Sequence, residues 1–278
     1  MPHAAILEDR SVLALTGADA RDFLQGLITS DIAQLGPGKA IYAALLTPQG
    51  KILFDFLLAV DEGGRILIDC AGARAGDLLK RLGMYRLRAK VTVAPVPELR
   101  VGAWWGHEAP KVEGATIFAD PRLPALGWRA IAPEKELSRA LGDTAPGAYE
   151  AHRLALGVPE SADIGSDQVF ALDAGFEELH GVSFRKGCYV GQEVTARMKH
   201  RATARRRFYI AQSNGALPPP GTPLEAQGRE LGTLATGRNG IALALVRLDR
   251  VEDALGANAL ITATGQEITL KKPSWLQV

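Results

Sequence analysis

Apolar positions along this chain recur at two periods, and the periods divide it into strands and helices. Ser11–Leu15 alternates as a strand, and Phe23, Leu24 and Leu27 share one face of a helix over Ala20–Leu27 after Gly17-Ala18-Asp19. The apolar runs Ala40–Leu46 and Ile52–Val60 flank Thr47-Pro48-Gln49-Gly50, a turn signature that predicts a hairpin. Arg65–Cys70 adds a strand. Leu78, Leu79, Leu82 and Tyr85 predict a helix over Arg74–Leu87. Val91–Val93, Val101–Trp104 and a short stretch around Trp128–Ile131 read as further strands, the last leaving a loop rich in Pro and Gly. Short helices follow at Glu134–Leu141 and Tyr149–Leu156, the second stopped by Gly157, and residues 160–187 are irregular.

The pattern changes near residue 203. Beyond it strands alone are expected: Arg207–Gln212, Leu231–Thr236, Ile241–Val246, Ala259–Ala263 and Ile268–Lys271, separated by turns such as Arg238-Asn239-Gly240. Short strands at this spacing predict a small β barrel. Strands and helices before it, without strict βαβ alternation, make the fold class α+β. The expected division is 1–202 and 203–278.

Composition adds little. The chain has 278 residues, 47% of them hydrophobic, and net charge +1, so it has no global bias toward nucleic acid or membrane. No apolar run approaches the roughly 18 residues of a membrane helix. The N-terminus carries neither a secretory leader pattern nor an Arg/Ser-rich transit stretch, so a cytoplasmic protein is expected. Its two cysteines, Cys70 and Cys188, are too few for a disulfide framework. Cys70 lies in an apolar strand, where cysteine acts as a small hydrophobe.

Cys188 is different. It sits in Phe184-Arg185-Lys186-Gly187-Cys188-Tyr189-Val190-Gly191-Gln192-Glu193, and Gly191 predicts the start of a helix through Val194–Lys199. A helix N-terminus and two basic neighbours favour thiolate over thiol and can lower its pKa by about a unit or more. The same spacing equally suits a buried turn cysteine whose glycines serve the turn alone. With His180 and His200 as the nearby histidines, the ligands for a complete metal site are missing, although a cluster shared with a partner's thiolates stays open. Arg197 to Arg207 is a basic stretch, and no acid occurs between Glu193 and Glu225. Few aromatics interleave with it, so a solvated face or a carboxylate-rich small ligand is expected rather than direct nucleic-acid binding. No GxSxG or P-loop motif is present. His107, beside Trp104 and Trp105, reads as a strand-end histidine that satisfies its own hydrogen bonds, a pocket-lining role being the rarer case.

The stretch Lys186–Glu193 resembles the signature of the YgfZ-type proteins and their mitochondrial iron–sulfur assembly relatives. Leu179–Lys186 resembles their lead-in, and Ser11–Asp31 resembles the opening of the wider family that includes the aminomethyltransferase of the glycine cleavage system. The resemblance spans nearly the whole chain. It implies α/β subdomains around a central cavity holding tetrahydrofolate, a C-terminal β barrel, and partners among iron–sulfur client enzymes or cluster carriers. By the same resemblance Cys188 is the essential group, supported by Lys186, Gly187, Tyr189, Gly191, Gln192 and Glu193. Asp55, Tyr42 and Arg153 are the cavity candidates, and no metal ligand is assigned. Two positions depart from the aminomethyltransferases: Phe54 replaces one of two consecutive aspartates, leaving Asp55, and Arg129 falls where a folate-contacting glutamate is usual. Both departures speak against aminomethyl transfer. A folate-dependent one-carbon transferase is the alternative function that Asp55 keeps open.

Overall fold

The computed structural model describes residues 3–106, 108–141, 145, 147–201 and 204–277. A five-stranded antiparallel sheet takes the order 41–46, 52–60, 66–71, 10–16, 92–95. The expected hairpin is its first pair, and Gly50 closes the turn at φ +82°, where a Cβ is strained. Strands 10–16, 41–46, 52–60 and 66–71 are buried on both faces, which is why the runs 41–46 and 52–60 read as continuously apolar, whereas the edge strand 92–95 is largely exposed. Leu13, Leu15, Ala43, Leu45, Phe54, Phe56, Ile68 and Cys70 face a core capped by the helices Ala20–Gln25 and Ala75–Arg86 through Leu24, Leu78 and Leu82. The alternate residues Val12, Ala14, Tyr42, Ala44, Leu57 and Leu67 face a second, central core.

Across that central core lies a four-stranded antiparallel sheet in the order 4–6, 99–104, 128–133, 116–119. Val101, Ala103, Phe118 and Ile131 point inward, and Trp104, Ala130 and Ala132 pack outward on Leu137 of the helix Glu134–Leu141. The helix Ala148–Leu156 and the irregular segment after it complete the centre, together with Phe208 and Ile210 of the terminal domain.

The terminal domain is a seven-stranded antiparallel sheet, in the order 266–267, 262–263, 223–226, 229–238, 241–247, 206–212, 269–271. Its two edge strands are consecutive in the chain and joined through Ile268 alone, so the sheet curls into a nearly closed barrel. The fold class is therefore α+β with a C-terminal barrel, as expected.

Two expectations need correction. The terminal region is not strands alone: Leu248–Gly256 is a helix that lays Val251 and Ala254 on the barrel core. Its apolar positions 248, 251 and 254 follow a helical period that the flanking strands obscure. The strands Ala4–Ile6, Thr116–Ala119 and Pro223–Ala226 were not expected, because three or four residues carry too little alternation to read. Residues 202 and 203, where the division was expected, lie outside the described residues, as does His107.

Candidate functional site

The motif 186–193 alternates between buried anchors and exposed groups. Lys186 is buried, and its Nζ donates to the carbonyls of Ile28 (2.7 Å) and Ser30 (2.9 Å). Burial pulls its pKa down to about 8, against the attraction of Asp31. Tyr189 is also buried, in the central core, and burial pushes its hydroxyl up to about 12. Its ring lies 5.2 Å from the Lys186 ammonium. Between these anchors Gly187 and Cys188 are both exposed. Gly191 caps the helix Gln192–His200 in the left-handed region at φ +82°, and a Cβ there would stand 2.6 Å from the carbonyl oxygen of Thr47. The helix thus seats directly on the turn of the first hairpin. Gln192 is half-buried and Glu193 exposed.

This arrangement corrects one premise. Lys186 is not a charge beside the thiol but an inward tether, so Arg185 is the exposed cation of the pair. Cys188 is an exposed free thiol, whereas Cys70 is buried and its thiol is pushed up to about 12 by desolvation. Among the described residues no group of three or more His, Cys, Asp or Glu is placed to hold a metal ion.

The cavity candidates lie inside the molecule. Period two puts Arg10, Tyr42, Asp55 and Asp69 on the central-core face of the first sheet, and Arg129 on the facing side of the second. Arg10 bonds Asp69 at 2.6 Å. Arg129 reaches Asp69 (2.6 Å), Asp120 (3.1 Å) and Glu160 (3.3 Å), and Arg122 reaches Asp120 (2.7 Å) and Glu160 (2.8 Å). Both guanidinium groups also donate to the Tyr149 hydroxyl, at 2.8 and 2.9 Å. Beside them Tyr42 donates to Asp55 at 3.2 Å, and Ser161 donates to the other Asp55 oxygen. Arg153 stands apart: it ties its helix to Asp163 (2.6 Å), the carbonyl of Val158 (2.7 Å) and Thr236 of the barrel (3.3 Å).

Charge and burial divide these carboxylates. Burial alone would raise Glu160, but Arg122, Arg10, Arg153 and Arg129 outweigh it and hold the carboxyl well below the usual range. Asp120 is lowered in the same way, burial being overcome chiefly by Arg122. Asp55 is raised by burial, with Arg10 and the Ser161 hydrogen bond opposing. Arg10, Asp69, Asp120, Arg122 and Glu160 were not singled out from sequence. The legible signal was a charge at an inward position of an apolar strand, as at Asp69 in Ile66-Leu67-Ile68-Asp69-Cys70.

Tetrahydrofolate can be tested against this interior. A group lining a pterin-sized void exposes surface to that void. Tyr42 is 1% exposed, Asp55 3%, Arg122 1%, Arg129 1% and Asp69 0%. The atoms expected to contact a pterin are packed against protein, and the residues present do not fit the group there.

The basic stretch is largely consumed by internal pairs. Lys199 pairs with Glu177, Arg206 with Asp173 at 3.3 Å and Arg207 with Glu178 at 3.7 Å, leaving Arg197, His200, Arg201 and Arg205 exposed. A separate cleft of about 1600 Å³, missed from sequence, lies between the second sheet and the barrel. Trp105, Trp128 and His152 line it, the His152 ring stacked on Trp105 at 5.1 Å.

Comparison with known proteins agrees with this architecture. The model of the CAF17 C-terminal beta-barrel domain matches residues 205–278. The chain superimposes on the glycine cleavage system aminomethyltransferase T from Bartonella henselae with TM-score 0.75 and 16% identity, over 99% of this chain and 86% of that one. That likeness carries the fold alone. The mitochondrial iron–sulfur cluster assembly factor IBA57 of Homo sapiens is 32% identical, covering 97% of this chain and 84% of its own length. The Mus musculus protein of the same name is 33% identical, covering 90% and 78%. Both relatives are mitochondrial by name, which overturns the expectation of a cytoplasmic protein. On this identity and coverage the chain belongs to the family of the iron–sulfur cluster assembly factor IBA57.

Proposed function

We propose that the protein assists iron–sulfur cluster assembly or repair in client enzymes, with the Cys188 thiolate as the group that meets the cargo, in the manner of the YgfZ-type branch its motif resembles. One observation carries the reading: Cys188 is an exposed thiol held between two buried side chains, Lys186 and Tyr189, rather than on a loose loop. An iron–sulfur cluster takes about four thiolate ligands. One cysteine supplies one, so the remaining ligands belong to a cluster carrier or to the client, and the cluster is substrate in transit.

The residues around Cys188 divide the work. Lys186 fixes the loop to residues 28–30, and Ser30 in turn donates to the carbonyl of Tyr42, so the thiol is braced against the first sheet. Gly191 starts the helix that seats the motif on the turn of the first hairpin. Arg185 adds the exposed cation, and Gly187 leaves the approach to the sulfur open, no heavy atom lying within 4 Å of a Cβ built there. No step is assigned to tetrahydrofolate. The alternative, a one-carbon transferase, asks for a substrate-accessible carboxylate at Asp55, and Asp55 is enclosed by Tyr42 and Ser161.

The test is complementation. In a host lacking the gene, an aconitase-type dehydratase and a radical-type tRNA-thiolating enzyme are assayed after restoring wild type, Cys188→Ser or Asp55→Ala. Rescue by wild type and Asp55→Ala, with none by a stably folded Cys188→Ser, is the expected result. Full rescue by Cys188→Ser defeats the reading.

A further inference from the structure

We infer that this chain has exchanged a ligand-binding interior for a closed ion network, and that tetrahydrofolate does not bind between its two N-terminal sheets. Three observations converge. The first is charge balance. Arg10, Arg122 and Arg129 meet Asp69, Asp120 and Glu160, three cations against three anions, within a contiguous set of contacts. No carboxylate of the set is left over for a ligand.

The second is hydrogen-bond capacity. The donor edge of a pterin, its amino group and ring N–H, needs a carboxylate with free lone pairs facing it. Each oxygen of Asp55 accepts one bond, from Ser161 or Tyr42, and at 3% exposure no open space meets its remaining lone pairs. Both oxygens of Asp120 and of Asp69 accept from guanidinium groups. A pterin entering here would have to break charge-assisted bonds between groups cut off from water, leaving buried charges unpaired.

The third is position. The network joins both N-terminal sheets and the segments that link them across the central core. Arg10 and Asp69 come from the first sheet, Arg129 from the second, Asp120 and Arg122 from the loop between strands 116–119 and 128–133. Tyr149 comes from the helix Ala148–Leu156, and Glu160 caps the short helix Ser161–Ile164. Such a weld does structurally what a core ligand does for a fold with an open centre. Arg129 is its hub, touching all three carboxylates. The inference stands apart from the role of Cys188, whose loop lies outside the network.

The experiment is equilibrium dialysis of the full chain, kept anaerobic, against tetrahydrofolate and its stable 5-formyl derivative, with thermal melting in parallel. A ligand present at about 100 times its dissociation constant raises Tm by roughly 5–10 °C in a protein of this size. The expected result is no saturable binding up to about 1 mM and a Tm shift below about 1 °C. Saturable binding that disappears in Tyr42→Phe and Asp55→Asn, both of which keep the fold volume, overturns the inference. Saturable binding that both variants retain lies elsewhere on the protein and upholds the closed interior. The Cys188→Ser complementation reads a different group, so either result can fail without the other.

Discussion

Replacing Arg129 by Met removes the hub of the interior network while keeping most of its length. The guanidinium contacts Asp69, Asp120 and Glu160 within 3.3 Å and donates to Tyr149. Asp69 retains Arg10, Asp120 and Glu160 retain Arg122, and Tyr149 retains Arg122. No group loses its last partner, but the set falls from three cations against three anions to two against three. One negative charge is left uncompensated where Asp69 is 0% exposed. Losing one partner of a buried ion pair costs about 3–5 kcal/mol. For a domain near this size that lowers Tm by roughly 6–20 °C. Urea and thermal midpoints followed by tryptophan fluorescence measure it. Two signatures separate the charge argument from simple loss of packing. Adding Asp69→Asn to Arg129→Met restores the balance and recovers more than half of the loss, a coupling that a double-mutant cycle reads directly. Lowering the pH toward the carboxylate range also narrows the gap from wild type, because a proton neutralises the orphaned charge. A midpoint equal to wild type, or a double variant no better than the single, refutes the reasoning.

Three further outcomes follow from the same structure. Gly191→Ala forces a Cβ to 2.6 Å from the Thr47 carbonyl oxygen at φ +82°, so it loses about 2–4 kcal/mol by urea denaturation, whereas Gly187→Ala, with no heavy atom near its Cβ, stays within about 0.5 kcal/mol of wild type. Glu160 and Asp120 have folded-state pKa values below their unfolded ones, so their stabilisation is full above about pH 4–5 and is lost as pH falls through the folded values. Asp55, raised by burial, works in the opposite sense, so Glu160→Gln flattens the acid limb of Tm against pH and Asp55→Asn does not. Iodoacetamide followed by mass spectrometry labels Cys188 in the native protein and Cys70 after denaturation alone; equal native labelling of both would contradict their burial.

Local pattern carried much of this protein. The hairpin 41–60, the helix Glu134–Leu141 and most barrel strands follow from periodicity and turn residues, which act within about ten positions of the chain. The motif around Cys188 was legible because glycines and a cysteine stand together at fixed spacing. What the sequence could not show was direction. Lys186 and Arg185 are adjacent and alike in charge, yet one is tethered inside to Ile28 and Ser30, about 156–158 positions away in sequence, and the other faces solvent. Asp55 and Tyr42 read as cavity residues by resemblance. Only the tertiary structure showed that Arg122 lies beside them, its guanidinium 5.5 Å from the Tyr42 ring, and that their neighbours fill the space. The physical reason is that strand period two decides which face a side chain joins, whereas the charges that meet it there come from other strands, from loops and from the opposite sheet. Whether a buried carboxylate is an open acceptor or half of an ion pair is set by that second partner, which no local stretch of sequence encodes.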